Sequence, residues 1–493
     1  MIQSRSQRFE ALLRQSQDAQ RRGRFDDMLS YAEQAVALDE RSLAAKFRRL
    51  ECLLYCGHVD RVLKSLANIQ SDANDEHGLL CKIAEYYTHA ADHDSALRCY
   101  QRAVELDPGN PEYLFALSAA EIAAGQLETA EQHLCDVIQL NPDDYDAYRN
   151  RAMLKKQTRD ENHIAEIEAL LEKDSKTPAG EVQLCYALAK ELEDIGEYDR
   201  SFNALRRGAE KRRSLMSYRV SGDVDVMERL RQVFSEDLLS RPSVGLEQAG
   251  PIFVLGLPRS GTTLIDRILS SHSDVESLGE INNFAYSLMH TVGKSADKMS
   301  LIDLSSKVDF AELGRRYFDS TQSYGKTSLF LIDKTPLNYL YIGLIHLSLR
   351  NARIVHIRRN PMDSCYAMYR TLFRAGFPFS YDFGDLGAYY VAYRQLMDHW
   401  RNVAGDSFLD IEYESLIEDQ EAVSREIVSY CGLDWQPACL EFHKNSSAVL
   451  TASSAQVRQP VYRDALQRWR KYESQLQPLA DYLLKNGINV DAS

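Results

Sequence analysis

The sequence predicts a two-domain protein, an all-α array of helix pairs followed by an α/β domain with a mostly parallel sheet. Three observations carry that prediction. Glycines, or one alanine in their place, recur every 34 residues in the first half, at Gly23, Gly57, Ala91 and Gly125. Residues 251–263, Pro-Ile-Phe-Val-Leu-Gly-Leu-Pro-Arg-Ser-Gly-Thr-Thr, read as a buried strand running into a Gly-rich loop that opens a helix. Short apolar strands, each leading into a loop or helix, then recur through the second half, as in sheets built from crossover units.

Composition bounds the reading before any element is placed. At 493 residues the chain exceeds one ordinary domain and can fill two or three cores. With 44% hydrophobic and 26% charged residues it has the balance of a globular protein. A net charge of −14 argues against a nucleic-acid binder while leaving room for a local basic pocket. No apolar run is long enough to span a bilayer, and residues 1–20 hold no apolar export signal, so a cytoplasmic protein with no membrane span is expected. The nine cysteines form no repeated metal-ligand pair. Cys52 and Cys56 lie one helical turn apart with no second pair, and reduced, mostly buried thiols are expected.

In chain order, the first element is the repeat. Leu38, Leu106 and Leu140 fill a second row of the same grid, whose 34-residue period is that of tetratricopeptide repeats. Each unit reads as two helices: the glycine and a following Phe25, Val59 or Leu127 mark the inner turn, and Pro108 or Pro142 stops the second helix. Ala96, Tyr100 and Ala103, then Ala130, Leu134 and Val137 one unit later, fall on one face where neighbouring helices interlock. A fifth unit around Gly196 is offset from the grid by three residues, which makes Thr158 to Lys173 a degenerate repeat with a short insertion. The array is placed at residues 1–215. Its concave groove is either a spacer or self-association surface, or a platform that presents a peptide or protein to the second domain, and the sequence leaves both open. Residues 216–250 form a helical connector, periodic over Val224 to Phe234 and broken at Pro242, Gly245 and Gly250; residues 251–493 form the α/β domain.

That domain is organised by its Gly-rich loop. Ile252 to Leu255 is the strand, and Leu264, Ile265, Ile268 and Leu269 recur at helical spacing after it. Backbone N–H groups and the positive end of a helix dipole then converge on one spot, which suits phosphate or sulfate. The Gly256, Gly261, Thr263 spacing is that of a nucleotide P-loop, yet Thr262 stands where the P-loop lysine belongs. Arg259 offers instead a planar fork of donors, better matched to a bidentate oxyanion than to a magnesium-bridged triphosphate. A tight strand-to-helix turn without any ligand is the plainer alternative.

On these residues, Pro258 to Thr263 resembles the 5′-phosphosulfate loop of sulfotransferases that use PAPS (3′-phosphoadenosine 5′-phosphosulfate), in particular the tyrosylprotein branch, and matches continue over about residues 250–475. The resemblance implies that Arg259, Ser260, Gly261, Thr262 and Thr263 hold the 5′-phosphosulfate. Glu280, in Ser-Leu-Gly-Glu, falls at the family's general base, and a partly desolvated carboxylate can take the proton of an attacking hydroxyl. Its plainer role is an acid in the first turn of a helix. Lys334, after a strand over Leu329 to Ile332, matches the family's catalytic lysine, which stabilises charge on the leaving oxygen; an exposed loop lysine is the plainer reading. Arg359, after a strand over Ala352 to Ile357, matches the arginine that grips the 3′-phosphate. The family's serine eight residues later is Ala367 here, so Ser364 or a backbone amide substitutes for it or the grip is weaker. Tyr413, in Tyr-Glu-Ser-Leu, matches a nucleotide-contacting tyrosine, with a core position as the alternative. In the last matched segment Ser453 falls where a hydroxyl assists the transition state, Gln456 to Tyr462 where the chain wraps the cofactor, and Arg468 where a lysine meets phosphate. Trp469 reads as packing.

The resulting expectation is a PAPS-dependent sulfotransferase with a P-loop-like anion site, acting on an acceptor hydroxyl and requiring no metal. A peptide tyrosine is the acceptor the resemblance implies, with a glycan, lipid or small phenol as alternatives. A catalytically inactive repeat scaffold and a P-loop kinase or NTPase are the competing classes. Thr262 disfavours the kinase, and Ala367 is the observed hint toward the scaffold.

Overall fold

The structure is a computed structural model and describes residues 5–73, 76–173, 176–241, 245–293, 297–374, 376–445, 447–449, 456–460 and 466–491. The first half folds as helix pairs: α1 (Arg5–Arg21) with α2 (Phe25–Leu38), α3 (Leu43–Tyr55) with α4 (Val59–Asp72), α5 (His77–His89) with α6 (His93–Leu106), α7 (Pro111–Ala124) with α8 (Leu127–Leu140), α9 (Tyr145–Leu154) with α10 (Ile164–Glu172), and α11 (Pro178–Asp194) with α12 (Tyr198–Ser214). The interlocking faces read from the sequence are buried, Ala96, Ala103, Ala130, Leu134 and Val137 each at 2% exposure or less. The expected insertion is the segment 155–163 between α9 and α10. Glu191 of α11 fastens its end, accepting the His163 backbone N–H at 2.6 Å and lying 2.9 Å from the ring Nδ1.

All four positions of the 34-residue grid, Ala91 included, sit in the left-handed backbone region with φ between 58° and 83°. Ala91 carries a Cβ there, at a cost of about 1 kcal/mol relative to glycine. Ala91→Gly is therefore expected to stabilise the array by about that amount, read as a higher denaturant midpoint; a lower midpoint would show the turn to be unstrained.

In the second half β1 (Pro251–Gly256), β2 (Val275–Ser277), β3 (Phe330–Asp333), β4 (Arg353–Arg358) and β5 (Leu409–Glu412) form one sheet in the order β2-β3-β1-β4-β5, with every neighbouring pair parallel. β1 is central and buried along its whole length, which is why it reads as an unbroken apolar run. β3 begins at Phe330, and Leu329, which the sequence places in the strand, is 66% exposed. The helices, continuing from α13 (Ser221–Val233) and α14 (Glu236–Leu239), are α15 (Thr262–Ser270), α16 (Asn283–Val292), α17 (Lys298–Ser305), α18 (Phe310–Gln322), α19 (Ile342–Ser348), α20 (Pro361–Tyr369), α21 (Phe383–Ala404), α22 (Tyr413–Glu418), α23 (Gln420–Tyr430) and α24 (Glu473–Lys485). α13 packs along α21, and Phe234 just after it meets Trp400 edge-on. Parallel strands point their carboxyl ends to one rim, so the segments bearing Arg259, Glu280, Lys334, Arg359 and Tyr413 all emerge there.

The two halves share a continuous hydrophobic core. Phe202 of α12 packs against Tyr369, Phe383 and Tyr472, and the Tyr186 hydroxyl of α11 donates to the Tyr369 carbonyl at 3.2 Å. Earlier in the array, the inner turns dock directly. Ser323 Oγ donates to the Gly57 carbonyl at 2.7 Å and accepts the Val59 N–H at 3.1 Å, and Arg458 donates to the Ala123 carbonyl at 2.8 Å. A Cβ on Gly57 would lie 2.5 Å from Ser320 Cβ, and one on Gly125 2.5 Å from Arg458 Cζ. Glycine at these two turns serves both the reversal of the chain and the close approach of the second half.

All nine cysteines are unpaired thiols, six of them buried. Among the described residues no helix is long and apolar enough to cross a membrane, and no group of three or more His, Cys, Asp or Glu is placed to hold a metal ion.

Candidate active site at the carboxyl rim of the sheet

β1 delivers the chain into the Gly-rich loop, where Arg259 adopts φ 68°, a conformation rare for a residue with a long side chain. Such strain, of order 1–3 kcal/mol, persists where the surroundings over-determine it, and functional loops are a common place for it. Gly261, at φ 115°, caps α15; a Cβ there would sit 2.7 Å from the Tyr413 ring and 2.9 Å from Ile357 Cδ1. Thr262 and Thr263 open the helix, both buried. The Ser260 hydroxyl is buried and has no hydrogen-bond partner among the described residues. An oxyanion seated at the α15 N-terminus would satisfy a donor of this kind, whose isolation costs about 1–3 kcal/mol.

Beside the loop lies a cavity of ≈ 290 Å³, lined by Arg259, Gly261, Thr263, Arg359, Tyr413 and Arg468 among others. The Arg359 guanidinium stacks 4.7 Å above the Tyr413 ring, and its Nη1 donates to the Arg259 carbonyl at 3.5 Å. These contacts tie the ends of β4 and β5 to the loop. Arg468 Nε donates to Glu193 at 3.1 Å. The short turn Gln456–Arg458 brings Val457 to the cavity wall, whereas Ser453 lies outside the described residues. Ala367 lines the cavity with a methyl group. The Ser364 hydroxyl faces the Arg359 carbonyl at 3.4 Å and lines a small separate cavity with Ser260 and Arg359.

Glu280 and Lys334 meet, the ammonium lying 2.5 Å from Glu280 Oε1. The lysine side chain is 2% exposed and the glutamate 48%, so a buried cation is joined to a carboxylate that solvent can reach. The end of β3 is held rigid beside them. Asn338 donates to Asp333 at 3.0 Å, and Tyr317 does so at 3.3 Å. Burial pushes the Asp333 carboxyl up to about 7, against hydrogen bonds from Thr335, Tyr317 and Asn338. Burial also raises Asp266 on α15, opposed by the Lys334 charge and a hydrogen bond from Ser277. The Lys334–Glu280 pair thus lies within electrostatic reach of the helix that the anion loop opens.

Further residues line the cavity without having been read from the sequence, among them the charged Arg149, Lys190, Glu193 and Arg370. Arg370 follows Ala367 by three residues at the end of α20, and that one-turn spacing is the signal that could have found it. The other three belong to the repeat half, and nothing local marks them.

Residues 251–437 match the model of the Sulfotransferase family, and residues 87–156 that of the Tetratricopeptide repeat. The chain carries a sulfotransferase-family domain behind tetratricopeptide repeats. A protein of Aquifex aeolicus, described only as uncharacterized, is 28% identical over 459 residues, covering 90% of this chain and 59% of that protein. A protein-tyrosine sulfotransferase of Drosophila melanogaster is 24% identical over 242 residues, covering 44% of this chain and 46% of that protein. This chain therefore spans about half the length of these relatives. The solved sulfotransferase domain from the curacin biosynthetic pathway aligns with 47% of this chain and 99% of its own at 15% identity, with a TM-score of 0.30. Within the sulfotransferase domain, Arg259 to Thr263, Glu280, Lys334, Arg359 and Tyr413 all lie inside the matched segment, while Gln456 and Arg468 lie beyond it.

Proposed function

We propose that the chain transfers the sulfuryl group of PAPS to an acceptor hydroxyl. The observation that supports this most is the arrangement of the rim: an anion loop without a P-loop lysine, a basic cavity beside it, and a buried lysine paired with a reachable carboxylate. The residues fit a phosphosulfate. The N-terminus of α15 and Arg259, a bidentate fork, line the cavity beside the loop, and the buried Ser260 hydroxyl next to them has no partner among the described residues. Bound PAPS would supply the sulfuryl group and the leaving phosphate. Arg259 to Thr263 hold the 5′ end, Arg359 holds the 3′-phosphate, and Tyr413 supports Arg359 from below its guanidinium plane.

Glu280 takes the proton of the attacking hydroxyl as its oxygen bonds to sulfur. On accepting it the carboxyl becomes neutral and its hold on Lys334 weakens. The ammonium is then free to stabilise charge on the bridging oxygen as the bond from sulfur to that oxygen breaks. A peptide tyrosine is the acceptor favoured by the relatives named protein-tyrosine sulfotransferase, with the repeats as its platform.

Calorimetric titration tests the donor class. Tight binding of PAP, the desulfated product, with at least about tenfold weakening in Arg259→Ala, is the expected result. Binding of ATP·Mg²⁺ in place of PAP would overturn the transferase reading in favour of a kinase or NTPase, and binding of neither would leave a scaffold.

A further inference from the structure

One wall of the ≈ 290 Å³ cavity belongs to the sulfotransferase domain and the facing wall to the repeats. The lining holds six cations, Arg149, Lys190, Arg259, Arg359, Arg370 and Arg468, against two carboxylates, Glu193 and Asp363. In a chain of net charge −14 that local excess marks a ligand with several negative charges. Some of these cations are already neutralised. Glu193 on α11 binds Arg370 at 2.8 Å and Arg468 at 3.1 Å, and Lys190 is held by Asp194 at 2.7 Å.

Arg149, on α9, differs. Among the described residues it makes no ion pair; its Nη1 reaches the Gln183 amide oxygen at a long 3.4 Å. Burial lowers its pKa, with Asp146 opposing. A partly buried guanidinium with an amide for a partner is stabilised when an anion enters the same cavity.

The geometry points to the repeat array completing the donor site, with Arg149 joining Arg359 to bind the 3′-phosphate of the nucleotide. This inference rests on the PAPS reading. It answers the departure at Ala367: the family's serine is a methyl here, Arg370 beside it is turned to Glu193, and the Ser364 hydroxyl donates to the Arg359 carbonyl. Arg149 then supplies from the opposite wall the donors that α20 lacks. A phosphate monoester carries about −1.5 to −2 at neutral pH, and a planar guanidinium can meet two of its oxygens at once. The continuous core between α11, α12 and the sulfotransferase domain holds such a composite wall in register, as a binding constellation requires.

The test compares PAP with adenosine 5′-monophosphate, which lacks the 3′-phosphate, by calorimetry on the full chain. Wild type is expected to prefer PAP, and Arg149→Met to lose about tenfold or more in PAP affinity with the monophosphate unchanged. Arg149→Lys, which keeps the charge and loses the fork, is expected to fall between them. Thermal unfolding of each variant accompanies the titrations, and Arg149→Lys carries the comparison if Arg149→Met does not fold. Equal losses for both nucleotides, or none for either, overturn the inference and leave the donor class standing. A wild type that binds neither nucleotide overturns both.

Discussion

Glu280→Gln is expected to lower turnover about 100-fold or more while leaving PAP affinity within about twofold. The reason lies in where the side chain sits. Its carboxylate is half exposed and joined to a lysine that is almost wholly buried, so a hydroxyl arriving from solvent can reach it beside the buried cation. The amide keeps the size of the side chain and can still accept a hydrogen bond from Lys334, but it cannot take a proton. Lys334→Met is expected to cost a similar factor through loss of charge stabilisation at the leaving oxygen. Because the two groups act as a unit, the double variant should lose little more than the worse single one. Steady-state rates, with PAP titration as the control for cofactor binding, check all three. A Glu280→Gln enzyme that turns over at the wild-type rate would remove Glu280 from the role of base.

The rim could be read from the sequence because each of its parts is local. A strand end followed by Gly-x-x-x-x-Gly, by Gly-Glu, by Asp-Lys-Thr-Pro or by Arg-Arg-Asn-Pro needs only neighbouring residues to declare itself, and parallel pairing then brings the ends together. The repeat was equally legible, since the 34-residue glycine row reflects a left-handed turn that even Ala91 adopts. What stayed hidden was long-range. Gly57 and Gly125 gave the turn away but not the close approach of Ser320 and Arg458. Glu193 and Arg149 look like ordinary surface charges of a repeat, and only the docking of the two halves turns them toward the cavity. Arg468 was read as a phosphate contact, and it lines the cavity, yet the structure joins it to a carboxylate some 275 residues away.

That carboxylate is where a second large effect is expected. Glu193→Ala should destabilise the chain by about 3 kcal/mol, because it takes the shared carboxylate from two partly buried arginines. Glu193 is 6% exposed; it binds Arg370 and Arg468 and accepts the Tyr366 hydroxyl at 3.3 Å. Burial alone would raise its pKa, but the two arginines, aided by hydrogen bonds from Tyr472 and Tyr366, outweigh burial and lower it. Its folded pKa therefore lies below the ordinary value of 4.5. The stabilisation is complete above that value and fades as pH falls through the folded pKa. Thermal midpoints of wild type and Glu193→Ala should accordingly differ by at least about 5 °C near neutrality and converge in acid. The contacts run from α11 of the repeats to α20 and to the segment before α24, so the loss should also loosen the wall that carries Arg149. A variant that melts like wild type at pH 7 would show that the apolar contacts of Phe202 and Tyr186 hold the halves together without it. A variant that melts early and also loses its preference for PAP over adenosine 5′-monophosphate would tie the stability of the interface to the chemistry of the site.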